Sequence, residues 1–302
     1  MPLPIPKDYL CPMTQKIMLE PVTLSDGQTY ERDAIEKWLA THDTHPLTGA
    51  KLESKAIVPN LLVKKLITAF IEQHKKTLEA EILTAAQNGA NELIKSLLKM
   101  GISIETSDAE GRTVLYTAVK ANQENTVLFL VENGADIEAK NNYGYTPLHL
   151  AAHNGYTNMI NILLDKGACL EEKNKDGYSP LHSAISRDRK SAVALLLERG
   201  ANYKSKILMK KDSTTPKIQE AFNALELAIA EDNTDMAQLI EHKILAIKKQ
   251  KQLKLIEMEQ TIQHQQQRIA ALEDKLTEVL SLFTVKEPSY TTPAVPKVGL
   301  FS

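Results

Sequence analysis

The sequence predicts a multidomain, mainly α-helical chain: a small α+β unit at the amino end, a helical-repeat solenoid in the middle and a long coiled-coil helix behind it. Three observations predict this. Residues 5–73 run through loop, hairpin, helix, loop and helix; a 33-residue period governs the middle; and from Leu255 apolar residues return every seven positions. A length of 302 residues accommodates two or three folded units. Hydrophobic residues at 43% and charged residues at 25% exclude collagen-like, wholly disordered and membrane-embedded classes.

The net charge of −2 is unevenly spread: +1 over residues 1–77, −6 over 79–242 and +3 over 243–286. An acidic middle lacks the clustered Lys and Arg that grip phosphate, so no nucleic-acid partner is expected and protein partners are. No apolar run approaches the roughly 18 residues needed to span a bilayer, and residues 1–14 have neither the basic start nor the apolar stretch of a secretory leader. Two cysteines, Cys11 and Cys169, are too few for a disulfide framework or a multi-ligand zinc site. The expected setting is the cytosol or nucleus.

Within residues 1–75, Gly27 separates two β-capable runs and predicts a hairpin. Residues 31–39 space Ala34, Ile35, Trp38 and Leu39 as an amphipathic helix requires. A second loop over 41–50 carries Pro46 and Gly49. Asn60 then caps another helix, whose apolar face reads as Leu61, Leu62, Leu66, Ile67 and Phe70.

This order, with Ile5-Pro-Lys-Asp-Tyr-Leu-Cys-Pro12, Glu20-Pro21-Val22, Asp26-Gly-Gln-Thr-Tyr-Glu-Arg32, Ala34-Ile-Glu-Lys-Trp-Leu39, Pro46-Leu-Thr-Gly49 and Ile57-Val-Pro-Asn60, resembles the U-box of ubiquitin ligases. The resemblance implies a zinc-free RING-like fold. A RING finger needs about eight Cys and His ligands, whereas this stretch offers Cys11, His42, His45 and His74, so no metal and no cofactor are expected and polar contacts must hold the two loops. Asp26, Glu31, Arg32, Asp43 and His45 are nominated for that support. The resemblance also implies a ligase that binds a ubiquitin-conjugating enzyme charged with ubiquitin and acts by positioning, without a covalent intermediate. Cys11 reads as structural, because no His-Asp or His-Asn pairing accompanies it.

Carried over by position, the conjugating-enzyme groove comprises Met13, Gln15, Trp38, Pro46 and Gly49. Met13 and Trp38 each read as contact or core, with contact favoured. Two positions depart from the family pattern: Gln15 replaces a commonly apolar residue, and Gly49 stands where many ligases carry an Arg or other donor, a role Lys51 is near enough to take.

In the middle, Gly111, Gly144 and Gly177 keep a 33-residue spacing, as do Gly101, Gly134, Gly167 and Gly200, and Ala85, Ala118, Ala151 and Ala184, and Leu97, Leu130, Leu163 and Leu196. Each unit predicts turn, helix, turn, helix, with Thr146 as cap and Pro147 at the first helical position in the fullest copy. Thr146-Pro-Leu-His149, Ser179-Pro-Leu-His182 and the weaker Thr113-Val-Leu-Tyr116 make this array resemble ankyrin repeats, about four over residues 79–242 with a degenerate carboxyl-terminal cap. An 11-residue insertion is expected around 204–217. His149 and His182 resemble motif histidines that bond neighbouring repeats. The resemblance implies a protein-binding surface, for which the candidates are Arg112, Asn142, Tyr143, Tyr145, Lys175 and Tyr178 at the tips and Lys120, His153, Asn154 and Arg187 on the inner helices.

Residues 243–285 predict the coiled coil. Leu255, Ile262, Ile269, Leu276 and Phe283 form one row, and Met258, Leu272 and Val279 the other, interrupted by Gln265. Self-association is the expected use, with packing back on the array as the alternative. The five lysines of 243–254 read as a solvated face, a contact to anionic membrane or an import signal. Residues 286–302, with three prolines, are expected to be disordered.

Together these modules imply a ubiquitin-protein ligase whose substrate is selected by the repeats. The competing expectation is a scaffold or adaptor with an impaired U-box. The combination is a eukaryotic type of kit and also resembles effectors that bacteria deliver into host cells, for which the final residues 298–302 would suit an export signal; the host cytosol is then the setting.

Overall fold

A computed structural model describes residues 5–25, 27–210 and 219–283, with backbone alone at 208–210, 219–222 and 282–283. Asp26 as a loop support, part of the expected insertion and the disordered tail at 286–302 lie outside the described residues. The chain divides into a compact unit, Met1–Lys243, and a second unit, Ile244–Ser302.

In the first unit, β1 (Pro21–Thr23) pairs antiparallel with β2 (Thr29–Glu31) and with β3 (Val58–Pro59), giving the sheet order β2-β1-β3. Val22 faces both Tyr30 and Pro59. Gly27 turns the hairpin at φ +82°, a region that costs glycine nothing. Helix α1 (Arg32–Leu39) follows β2 without a break, and α2 (Leu61–Gln73) follows β3. Cys11, Ile17, Met18, Val22, Leu24, Tyr30, Ile35 and Ile67 form the buried cluster of this sheet and its two helices.

Asn60 fixes α2 onto the sheet. Its Oδ1 accepts from the Val63 amide, while its Nδ2 donates to the hydroxyls of Thr23 and Thr29. That anchoring sets the helix rotation and overturns part of the expected apolar face. Ile67 is buried and Val63 and Ile71 pack on the core, whereas Leu61, Leu62 and Leu66 are exposed. The inward stripe steps by four residues from 63 to 67 to 71, so 61, 62 and 66 point elsewhere.

The repeats form helix pairs: α3 (Lys75–Gln87) with α4 (Asn91–Lys99), α5 (Val114–Lys120) with α6 (Glu124–Glu132), α7 (Pro147–Asn154) with α8 (Thr157–Asp165), and α9 (Pro180–Ile185) with α10 (Lys190–Glu198). Helices α3, α5, α7, α9 and α11 (Ala224–Ala230) stack in chain order. Ala85, Ala118, Ala151, Ala184 and Ala228 are all buried at this stack, where a larger side chain would push the helices apart. Between α10 and α11 the insertion forms a hairpin, β4 (Ile207–Lys210) against β5 (Gln219–Phe222). Helix α12 (Thr234–Phe283) is the last element among the described residues. No described helix is long and apolar enough to cross a membrane.

Caps explain the starts of the inner helices. Thr146 and Ser179 accept from the backbone three residues on, and the His149 and His182 side chains return the bond to the cap amides. Each imidazole also reaches the next repeat, His149 Nε2 donating to the Tyr178 carbonyl at 2.8 Å and His182 Nε2 to the Ser205 carbonyl at 3.1 Å. Tyr116, in the weaker copy, is buried and its hydroxyl accepts from Asn141 of the following repeat.

Candidate functional site

Two loops and α1 build the first candidate site. The first loop leaves the core at Cys11, which is fully buried, and returns at Ile17. Met13 is half-buried against the core, and Gln15 is exposed at φ 56° with its amide folded back onto the Pro12 carbonyl at 3.0 Å. Pro46 is half-buried, while its neighbour Leu47 is 54% exposed. Trp38, on α1, is half-buried; its indole N–H donates to the Thr44 carbonyl at 2.7 Å and its ring stacks on His42 at 3.9 Å. The tryptophan therefore serves the second loop from inside as well as offering a face.

The loops are held by hydrogen bonds of two kinds. Glu31 accepts from the Leu19 and Glu20 amides, at 2.6 and 3.1 Å, pinning the end of the first loop. His45, buried, accepts at Nδ1 from the Leu47 and Thr48 amides, which puts its proton on Nε2, 3.0 Å from the Tyr30 hydroxyl. Nearby, Lys55 donates to the Leu39 carbonyl and closes the end of α1. Among the described residues no group of three or more His, Cys, Asp or Glu is placed to hold a metal ion.

Other nominated residues stand differently. Arg32 pairs through its side chain with Glu36 one helical turn on, and its backbone amide donates to the Glu20 carbonyl at the end of the first loop. Asp43 is exposed, and it is its carbonyl that accepts from the Leu52 amide. Gly49 sits at φ +71° in open space, so the turn itself asks for glycine at the position where a donor was missed. Tyr30, Leu47 and Lys55 were not foreseen as site residues. The Pro46-Leu-Thr-Gly49 motif contained the signal for Leu47.

The second candidate site lies on the repeats. A groove of about 270 Å³ is lined by Glu110, Arg112, Tyr116, Lys120, Asn141, Tyr143, Tyr145, Leu150 and His153. It gathers five of the ten nominated residues: Arg112, Lys120, Tyr143, Tyr145 and His153. Asn142, Asn154, Lys175, Tyr178 and Arg187 do not line it. Asn142 joins neighbouring tips instead, its side chain donating to the Ala109 carbonyl and its amide to the Glu110 carbonyl. Lys175 donates its backbone amide to the Tyr143 carbonyl, and Tyr178 gives its own carbonyl to His149.

Charge in the groove is largely answered from within. Arg112 is held by Asp108 and Glu110. Its hydrogen bond with Asp108 raises its pKa further, while burial works against the Asp108 carboxylate and the Arg112 bonds outweigh it, leaving Asp108 below the usual range. Burial lowers the pKa of His153, and the charges of Arg187 and Arg189 lower it further. Burial pushes Tyr116 up to about 12, so its phenol stays protonated. What the groove offers is thus Lys120, the His153 imidazole and the rings of Tyr143 and Tyr145.

Comparison with known proteins places two families on the chain. The U-box domain matches residues 5–76, and ankyrin repeats match residues 54–141 and 138–207. The chain is similar to the "E3 ubiquitin-protein ligase SPL11" of Oryza sativa subsp. japonica, at 43% identity over 24% of this chain and 10% of the relative. It is also similar to "U-box domain-containing protein 17" of Arabidopsis thaliana, at 35% identity over 35% of this chain and 14% of the relative. "WD repeat, SAM and U-box domain-containing protein 1" of Homo sapiens matches at 38% identity over 24% of this chain and 15% of its own length. The chain spans a small part of the length of each of these relatives.

Proposed function

This chain belongs to the ankyrin-repeat proteins and carries a U-box ahead of the array, and from that premise we propose that it is a ubiquitin-protein ligase. In this reading Met13, Pro46 and Leu47, with the outer face of Trp38, hold a ubiquitin-conjugating enzyme. The transfer needs no group from the ligase. A substrate amine attacks the thioester carbonyl of ubiquitin, the conjugating enzyme's thiolate leaves, and the ligase contributes orientation. Cys11 is sealed in the core, so it offers no acceptor thiol. The carrying observation is the clamp at His45. One imidazole takes the Leu47 and Thr48 amides of the second loop and leaves the Leu47 side chain exposed.

The groove at Lys120, Tyr143, Tyr145 and His153 is the proposed substrate contact, because an exposed tyrosine, Tyr143, and the half-buried Tyr145 line it together with a lysine, and tyrosine is favoured among interface anchors. A second reading, an adaptor with weak transfer, is favoured by Gly49, which supplies no donor toward ubiquitin. We read the working compartment as the cytosol or nucleus of a eukaryotic cell, which imaging of the tagged chain tests.

The deciding experiment is ubiquitin-chain formation with purified activating enzyme and a panel of conjugating enzymes. Activity lost in Met13→Lys and Leu47→Lys, with unfolding temperature unchanged, supports the ligase. No chains with any conjugating enzyme would leave the adaptor reading standing. Gly49→Arg then separates a missing donor from a missing partner: a gain of activity despite the strain of a left-handed arginine identifies the donor as what was absent.

A further inference from the structure

We propose that α12 pairs with α12 of a second copy of this chain as a parallel, in-register, two-stranded coiled coil over residues 254–279, with its charge pattern and Gln265 fixing orientation and register. Seven large apolar side chains, Leu255, Met258, Ile262, Ile269, Leu272, Leu276 and Val279, follow one stripe of the helix and are each between 47 and 64% exposed. A stripe of that regularity left in water is an unfinished interface. Ile262 and Ile269 in one row with Leu272 in the other favour two strands. The seam ends upstream because Lys248 and Lys251 take the next two core positions.

Flanking charges choose the orientation. On one side of the stripe stand Lys254, Arg268 and Lys275, and on the other Glu259 and Glu273. In a parallel pair each residue of the first side faces the residue five positions on in the other copy, so Lys254 meets Glu259 and Arg268 meets Glu273, twice each. An antiparallel pair sets bases against bases and acids against acids. Gln265 adds register. Parallel and in register, it lies opposite the other copy's Gln265, so the two amides bond each other; antiparallel, or shifted by a heptad, it faces an apolar side chain and loses its partner.

This inference does not rest on ligase activity, and its test reads mass and crosslinking only. The full chain in a Cys169→Ser background is expected to run at twice its 33.6 kDa mass. Met258→Cys should then form a disulfide with itself. In an antiparallel pair, with 258 facing 276, the two 258 positions lie about 27 Å apart; a disulfide only in a mixture with Leu276→Cys chains would overturn the proposal. So would a single-chain mass up to the highest soluble concentration. Lys254→Glu with Arg268→Glu should weaken pairing about tenfold or more, and adding Glu259→Lys with Glu273→Lys should restore it. Gln265→Leu should tighten association and admit larger or shifted species; one unaltered dimer would overturn the role given to Gln265.

Discussion

His45 illustrates how much one side chain carries in this chain. Its ring joins the second loop to Tyr30, a fully buried residue of β2, through a 3.0 Å bond. Removing that hydroxyl in Tyr30→Phe should cost about 1 kcal/mol of stability, seen as a lower unfolding temperature, and should weaken the proposed conjugating-enzyme contact because the Pro46–Leu47 turn loosens. His45→Ala should cost more, since it leaves two loop amides without their acceptor. By contrast Arg32→Ala should be nearly silent, as its exposed pairing with Glu36 is of the kind worth little. The sequence offered His45 by type and location. It did not offer Tyr30, because a tyrosine in a strand reads as core until its hydroxyl is seen to reach a loop 15 residues away.

At the scale of the element, the repeats are tied by rungs that recur every 33 residues. Glu105 accepts from the Asp136 amide at 2.8 Å, Glu138 from Cys169 at 2.6 Å and Glu171 from Asn202 at 2.7 Å. The period of these glutamates was visible in the sequence, but their partners, one repeat away, were not. Burial raises the pKa of Glu138, so this rung holds its carboxylate at a cost. Glu138→Ala should change the stability of the array by no more than about 1 kcal/mol, because Cys169 is exposed and water can take its amide while the burial cost of the carboxylate is relieved; chemical denaturation measures it.

The two histidine links give the array a pH response. Burial lowers the pKa of His149 and of His182 to about 4, against bonds to backbone carbonyls that act the other way. In the unfolded chain both titrate near 6.5, so between those values the unfolded state binds more protons. Stability should be level above about pH 6.5 and fall below it, by about 1.4 kcal/mol per pH unit per histidine, until about pH 4. Unfolding curves from pH 7 to pH 4 test this, and the double variant His149→Gln, His182→Gln should flatten the slope.

Across the first compact unit, the amino-terminal module and the first repeat share a boundary. Met100, which follows α4, packs against the core that contains Ile17, Val22 and Ile35. Glu92 on α4 reaches Lys16 of the first loop at 3.8 Å, an exposed pair that adds little. Met100→Asp should therefore increase amide exchange in the first 75 residues although it lies outside them, whereas Glu92→Ala should not. Equal exchange in native and Met100→Asp chains would mean that the boundary carries no stability.

Periodicity and motif by themselves determined the helix pairs, their caps and the order of elements, because these depend on residues three, four or 33 positions apart. Helix rotation, by contrast, was decided by tertiary structure. The bonds of Asn60 to Thr23 and Thr29 turned Leu61, Leu62 and Leu66 out of the face that spacing had assigned them. So too for the candidate groove: sequence named ten surface residues, and packing brought five together while committing Asn142 to holding the tips. The reason is common to both cases. A side chain's local pattern limits where it can point, but only the polar partner it finds across the fold fixes which of those directions it takes.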